Sequence, residues 1–356
     1  MKVALSVDPA VEKSGGSASF AQVLEKYLPR HGMEVVVGPA RACDAFILFA
    51  QHVELPGFPW LDRPGAGRLA RQLGLWALRW QRRRGVKILH RLDERRGPHD
   101  TPYRLKKHRL VARFNRLAHV TIFQSRFVRE NMGPICFAPR AAVIHNGVDR
   151  EIFRPDGPRR PPLAGSPRVL HEFFTIGSSK RLDRLGELLA ALGPEARVYL
   201  VGRHTHAKVL KDARDGPVIR KILQDPRVEF LGWQTREKVA EIMRACDFLF
   251  FPSELEPCSN IVLEAMASGL PLLYHPSGGT PELVGGAGVP LSGALASDVA
   301  AVLGKGADLR ERSLERAEEF SAEKVVARYA ALIRDVVEER GTGARERPLI
   351  AGRGKV

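Results

Sequence analysis

The sequence predicts two α/β domains, each built on a parallel, doubly wound sheet. Three observations lead there. Short apolar runs of strand length recur along the chain, stretches with helical spacing separate them, and one segment breaks the alternation, RPDGPRRPPLAGSP from Arg154 to Pro167. A chain of 356 residues that is 44% hydrophobic forms two ordinary cores rather than one oversized core.

Before residue 150 the strand candidates are VALSVD, MEVVVG, AFILFA, VKILHRLD, VTIFQS and AAVIHNG, with SASFAQVLEKYLPRHG as the first intervening helix. RVLHEFF, ARVYLVG, VEFLGW, FLFFP and LPLLYH take that part afterwards. NIVLEAMASG reads as a helix with Ser259 as its cap and Gly269 as its stop. The expected divisions are 1–155 for the first domain, 156–321 for the second, 322–340 for a final helix and 341–356 for a disordered tail. The segment 154–167 reads as the linker. No internal repeat is visible.

No apolar run reaches the roughly 18 residues that span a bilayer, and MKVALSVD lacks the long apolar segment of a signal peptide. The expectation is a cytoplasmic protein. Cys43, Cys136, Cys246 and Cys258 are far apart and form no C-x-x-C pair, so they read as buried thiols.

Basic charge is concentrated at one end. Residues 1–150 hold 26 Lys plus Arg against 12 Asp plus Glu, a net +14, and the remainder carries +2. RLARQLGLWALRWQRRR and YRLKKHRLVARFNRLAH mix cations with Leu, Trp and Phe at helical spacing. Trp76 and Trp80 recur four apart, as do Arg79 and Arg83, consistent with an amphipathic basic helix that an anionic membrane surface attracts. The alternative is an arginine-rich surface with the tryptophans packed in the core. Nucleic acid ranks last, because no nucleic-acid module accompanies the patch.

The most informative stretch is SELEPCSNIVLEAMASG, Ser253–Gly269. Glu256 precedes a helix start and Glu264 lies inside the helix. The helix amino terminus between them offers N–H groups and a positive dipole end, which suit a diphosphate. Glu256 can then accept hydrogen bonds from sugar hydroxyls and Glu264 from ribose hydroxyls. Taken alone, the pair also fits a solvated helix acid and a dipole-favoured acid.

EPCSNIVLEAMASGLPLL followed by SGGTPELV resembles the signature of retaining glycosyltransferases of family 4. VEFLGW, SSKRLD and VIHNGVDREIFRP extend the resemblance over most of the carboxy-terminal half, and the amino-terminal half matches only in patches. The resemblance implies the GT-B fold, two Rossmann-like doubly wound domains facing a central cleft, with the last helix returning to the first domain. It also implies transfer of a sugar from a nucleoside diphosphate sugar to an acceptor hydroxyl with retention of configuration, in cell-envelope glycolipid or polysaccharide synthesis. The acceptor would be a glycan or a lipid-linked molecule. The alternative is a GT-B-like protein that binds a nucleotide-sugar or glycan without catalysis.

The resemblance distributes the roles. Lys180 would neutralise the departing diphosphate, Glu256 position the sugar, Glu264 hold the ribose, and His90, which ends the strand VKILH, contact the reacting face. Asp93, three residues on, can orient substrate hydroxyls or pair with Arg91 or Arg95. Gly15 and Gly16, with Ser17, resemble the first glycine loop. Gly202, Arg203, Ser259, Asn260 and Ile261 are donor-side candidates. Phe174 and Thr175 stand where the family commonly has an arginine, which Arg181 or Arg203 would replace. Pro257 through Asn260 replace the family's more common phenylalanine–glycine step. No D-x-D triplet occurs, so neither a metal nor any other cofactor is implied, and His204 and His206 read as surface or nucleotide-edge residues rather than a metal site.

Overall fold

A computed structural model of the chain describes residues 1–9, 16–38, 42–50, 67–93, 102–136, 138–159, 163–173, 180–202 and 216–339. The expected disordered tail lies outside the described residues. The chain forms two compact units, one of Met1–His145 with the segment from Glu323, the other of Asn146–Ala322.

The first unit is built on strands β1 (Lys2–Leu5), β2 (Glu34–Val37), β3 (Ala45–Phe49), β4 (Lys87–Leu92), β5 (Val120–Phe123) and β6 (Arg140–Val143). They form one sheet in the order β2-β1-β3-β4-β5-β6, and every pairing is parallel. Helices α1 (Gly16–Tyr27), α2 (Gly67–Arg83), α3 (Pro102–Asn115) and α4 (Arg126–Met132) lie between them. Strand β3, AFILF, is buried at every position, as a strand covered on both faces must be. Leu75 and Leu78 of α2 and Phe114 of α3 pack together on Ala4, Phe46, Leu48 and Ile88, so both basic helices cover the same face of the sheet.

The second unit repeats the architecture with β7 (Arg168–Phe173), β8 (Arg197–Gly202), β9 (Val228–Gly232), β10 (Phe248–Phe251), β11 (Leu272–Tyr274) and β12 (Gly288–Pro290). Their order is β12-β11-β10-β7-β8-β9, again all parallel. Its helices are α5 (Arg184–Ala191), α6 (Gly216–Leu223), α7 (Arg236–Ala245), α8 (Asn260–Ala267), α9 (Thr280–Val284), α10 (Leu295–Gly304) and α11 (Gly306–Glu318). Gly269 stops α8 as expected. At φ 69° its N–H reaches Met266 O at 3.0 Å, and the Leu270 N–H reaches Ala265 O at 2.9 Å, a Schellman closure that needs the left-handed residue.

The last helix, α12 (Ala322–Glu338), packs within the first unit: Tyr329 stacks against Phe20 at 5.4 Å between ring centroids, and Arg140 pairs with Asp335 and with Glu339.

The passage between units comes at His145–Asn146, earlier than the expected 155/156. Val148 explains it, because its N–H donates to Phe320 O at 2.9 Å and its carbonyl accepts from the Ala322 N–H at 2.8 Å. The described parts of 154–167 are therefore not a linker between units. Arg244, almost fully buried, donates from Nε to Pro158 O at 2.5 Å and from NH1 to Ile152 O at 3.3 Å and Arg154 O at 3.1 Å. Pro and Gly mark irregular backbone there, and Arg244 clasps it to α7.

Replacing Arg244 with Met keeps much of the packed stem but leaves three carbonyls short of a donor. The expected cost is about 2 kcal/mol, read as a lower urea midpoint of the second unit. An unchanged midpoint would show the clasp to be idle.

Candidate functional site

Strand order in the second sheet reverses between β7 and β10: the chain runs outward through β8 and β9 on one side and through β11 and β12 on the other. Loops leaving the carboxyl ends of two such strands diverge and open a crevice, where doubly wound folds bind ligands. Lys180 follows β7 and Glu256 follows β10. Their side chains meet there, Lys180 Nζ donating to Glu256 Oε1 at 2.7 Å, with both partly exposed.

The loop after β10 is held in a strained shape. Leu255 has φ 55° and Arg181, beside Lys180, has φ 49°. A non-glycine residue in the left-handed region costs on the order of 1–3 kcal/mol and persists where surrounding structure enforces it. The enforcement is visible. The Leu255 N–H donates to Ser277 Oγ at 2.9 Å, Ser277 Oγ lies 2.9 Å from His275 Nδ1, and the Gly279 N–H donates to Glu256 O at 2.7 Å. A Cβ built on Gly278 would stand 2.6 Å from the backbone N and O of Glu256, so only glycine fits the approach.

Arg181, a proposed stand-in for the missing arginine, already holds two carboxylates. Its guanidinium grips Asp183 through Nε at 3.0 Å and NH2 at 2.8 Å, and NH1 pairs with Glu254. These bonds, Asp183 foremost, push its pKa well above the ordinary arginine value. Arg203, the other stand-in, lies outside the described residues, as do Gly15, Phe174, Thr175, His204 and His206.

Ser259 occupies the cap position of α8 with φ −79° and ψ 122°, but its side chain makes no capping hydrogen bond, against expectation. Another residue braces this helix start. Asn146 donates from its backbone N–H to Cys258 Sγ at 3.3 Å and from Nδ2 to Cys258 O at 3.0 Å and Asn260 Oδ1 at 2.6 Å. Ile261 is half-buried against the core beneath. Gly202 is buried at the end of β8, on the neighbouring strand.

Glu264, one turn into α8, is only 9% exposed. Arg236 at the start of α7 lies 3.5 Å from its Oε1 and stacks over the Phe153 ring at 5.3 Å. Burial raises the Glu264 pKa, and Arg236 draws it back only in part.

In the first unit His90 does not stand at an exposed strand end, where the sequence placed it. The side chain is fully buried, at 0% exposure, two residues short of the strand end. Nε2 lies 2.5 Å from Ala50 O and Nδ1 3.1 Å from Asn115 Nδ2, so the ring donates through Nε2 and accepts through Nδ1. Burial lowers its pKa to about 4. A neutral imidazole engaged at both nitrogens holds the left-handed turn at Ala50, φ 48°. The residue that emerges from β4 is Asp93, 23% exposed, which accepts from Ser17 Oγ beside Gly16 at the start of α1.

Asn146, Glu254, Ser277, Gly278 and Arg236 carry this geometry and were not singled out from sequence. Asn146 and Gly278 sit inside motifs already noted, HNGVD and SGGTPELV. Nothing local marks Arg236, whose partner is 28 positions away.

Raising a carboxyl's folded-state pKa means that the unfolded chain loses its proton first as pH climbs. Glu264 therefore withdraws stability from its ordinary value of 4.5 upward. Glu264→Gln removes that penalty and should raise the unliganded thermal midpoint at neutral pH, with the gain shrinking as pH falls toward 4.5. A less stable variant at neutral pH would show that attraction to Arg236 outweighs burial.

Comparison with known proteins follows the same geography. Residues 174–307 match the family described as Glycosyl transferases group 1. N-acetyl-alpha-D-glucosaminyl L-malate synthase of Bacillus anthracis is 30% identical over 226 residues, covering 56% of this chain and 55% of that protein. Sulfoquinovosyl transferase SQD2 of Arabidopsis thaliana is 28% identical, covering 49% of this chain and 34% of its own length. The chain thus spans about half, or less, of the curated relatives it matches. Anabaena Alr3699/HepE, solved in complex with UDP and glucose, superposes with TM-score 0.71 at 18% identity, over 94% of this chain and 100% of that one. WaaG, a glycosyltransferase involved in lipopolysaccharide biosynthesis, superposes with TM-score 0.64 at 16% identity, over 94% and 99%. These likenesses establish the fold. The chain has the two-sheet GT-B architecture, and its segment 174–307 matches the model of the glycosyl transferases group 1 family.

Proposed function

We propose that the chain is a glycosyltransferase that moves a sugar from a nucleoside diphosphate sugar to an acceptor hydroxyl with retention of configuration. The observation that carries this reading is the meeting of Lys180 and Glu256 at 2.7 Å over the β7–β10 reversal. An ammonium and a carboxylate there complement the two ends of such a donor: Lys180 faces the diphosphate and Glu256 accepts from sugar hydroxyls. Glu264 would hold the ribose. The family match over 174–307 supports the assignment, as does the fold shared with a protein solved with UDP and glucose. Retention follows by front-face attack: the acceptor oxygen bonds the anomeric carbon as the bond to the diphosphate breaks, and the departing phosphate oxygen takes the acceptor's proton. Lys180 stabilises charge that grows as this bond breaks.

A panel of uridine, guanosine, adenosine and thymidine diphosphate sugars tests the reading. The true donor raises the thermal midpoint by mass action and is hydrolysed slowly without acceptor. Stabilisation without turnover would favour the binding protein instead. Lys180→Ala should lower turnover by more than it weakens donor binding. Unchanged turnover at saturating donor would remove the leaving-group role from Lys180.

The same reading includes a docking partner, an anionic membrane surface that presents a glycolipid or lipid-linked glycan acceptor for envelope synthesis. Trp76 is 64% exposed and Trp80 36%, so neither is a core residue. They project from α2 among exposed Arg79, Arg82, Arg83 and Arg84, the last stacked over the Trp80 ring at 4.6 Å. Arg82 NH1 ties the end of α2 to Leu117 O at 2.7 Å, just beyond α3, which adds exposed Lys106, Arg109 and Arg113. Among the described residues no helix is long and apolar enough to cross a membrane, so attachment would be interfacial. Each cation near such a surface contributes about 1 kcal/mol. Vesicles containing phosphatidylserine should co-sediment the chain at about 0.1 M salt and release it near 1 M, where screening shortens from about 10 Å to about 3 Å. Changing Arg82, Arg83 and Arg84 to Gln should have the same effect at low salt. Indifference of the unaltered chain to anionic vesicles would point to a soluble acceptor.

A further inference from the structure

We propose that Asp93 is the acceptor-binding carboxylate of the first unit, hydrogen-bonding a hydroxyl of a carbohydrate acceptor through Oδ1. The inference rests on the glycosyltransferase reading and goes beyond it by naming an acceptor-side residue and the chemistry it takes.

Three features of the sheet end lead to it. Asp93 follows the carboxyl end of β4, the end at which doubly wound sheets receive ligands, and is 23% exposed where the five residues before it are buried. Its two contacts both fall on Oδ2, from Ser17 Oγ and from Arg91 NH1 at 4.0 Å, so Oδ1 has no partner among the described residues. A carboxylate oxygen is an acceptor only, and a hydroxyl is the donor such a site takes.

Arg91 is the second feature. Its guanidinium is fully buried between the rings of Phe20 at 4.4 Å and Phe49 at 5.0 Å. With the Gln124 amide turned oxygen-inward, NH1 and NH2 both donate to Oε1 at 3.0 Å. Burying an arginine is expensive, and apolar residues of similar volume would pack such a site at least as well. What the guanidinium adds is a fixed positive charge behind Asp93.

The third feature is the surrounding backbone. His90 and Arg91 together fix the left-handed turn at Ala50: the Ala50 N–H donates to Arg91 O at 2.9 Å, and the Ala50 carbonyl faces His90 Nε2. Strain enforced by a buried imidazole and a main-chain carbonyl beside a partly exposed carboxylate is the pattern of a preorganised site.

The test combines kinetics and binding in the full chain. Transfer from the donor found in the panel is measured onto octyl glucoside, octyl galactoside and octyl mannoside. Asp93→Asn keeps the shape and an oxygen for Ser17 but removes the charge. It should raise the KM for the accepted glycoside roughly 10- to 100-fold, the scale of a hydrogen bond to a charged group. The donor's thermal stabilisation should be unchanged, and Asp93→Glu should recover part of the KM. An unchanged acceptor KM would overturn the proposal, and so would equal loss of donor stabilisation, which would make Asp93 a structural residue. An unaltered chain that hydrolyses donor but glycosylates none of the three glycosides would also count against it. If no nucleotide-sugar stabilises the unaltered chain, the glycosyltransferase reading fails first and takes this one with it.

Discussion

The chemistry of the second unit depends on where its strand order reverses. Only at that place do neighbouring strands come from parts of the chain distant in sequence, and there Lys180 Nζ donates to Glu256 Oε1, 76 positions away, at 2.7 Å. β7 and β10 pair directly, Phe248 with Val169 and Leu249 with Leu170. The braces around the crevice are secondary to this placement. Ser277 and Gly279 fix the loop that carries Glu256, and Asn146 fixes the start of the helix that carries Glu264.

Much of the architecture was legible because parallel strands buried on both faces are written as continuous apolar runs. AFILF and FLFF could hardly be anything else once helices flank them. β12 escaped notice because Gly288–Pro290 is three residues long and has the composition of a turn. The stretch 154–167 was misread for a related reason. Proline and glycine report irregular backbone, and whether that backbone is free or clasped depends on Arg244, which lies some 90 positions further on.

At the site, the positions of residues that follow a strand end or sit at a helix start were legible, and Lys180 and Glu256 meet there while Glu264 lies inside α8. Those whose roles depend on reaching across the fold were not legible. His90 shows how narrow the margin is. The strand was placed correctly, yet the first partly exposed side chain after its buried run is Asp93, three residues beyond His90, because sheet pairing runs on to Leu92 opposite Phe123. Sequence could propose both His90 and Asp93, and burial separates them. Arg236 near Glu264 and Arg91 near Asp93 then share one logic: each of these two carboxylates has a guanidinium behind it that lies over an aromatic ring, whereas Glu256 has the Lys180 ammonium.

Gly278 bears on how this site can change over time. Most crowded positions relax by rotating a neighbouring side chain, but the atoms that a methyl group would strike at 278 belong to the main chain of Leu255 and Glu256. No rotamer relieves that collision, and moving the loop would carry the Glu256 carboxylate away from Lys180. Sequence drift can therefore alter the pocket's rim one residue at a time, whereas a non-glycine at 278 requires the loop and its partner strand exit to be rebuilt together. The position acts as a ratchet on the family of shapes this crevice can explore.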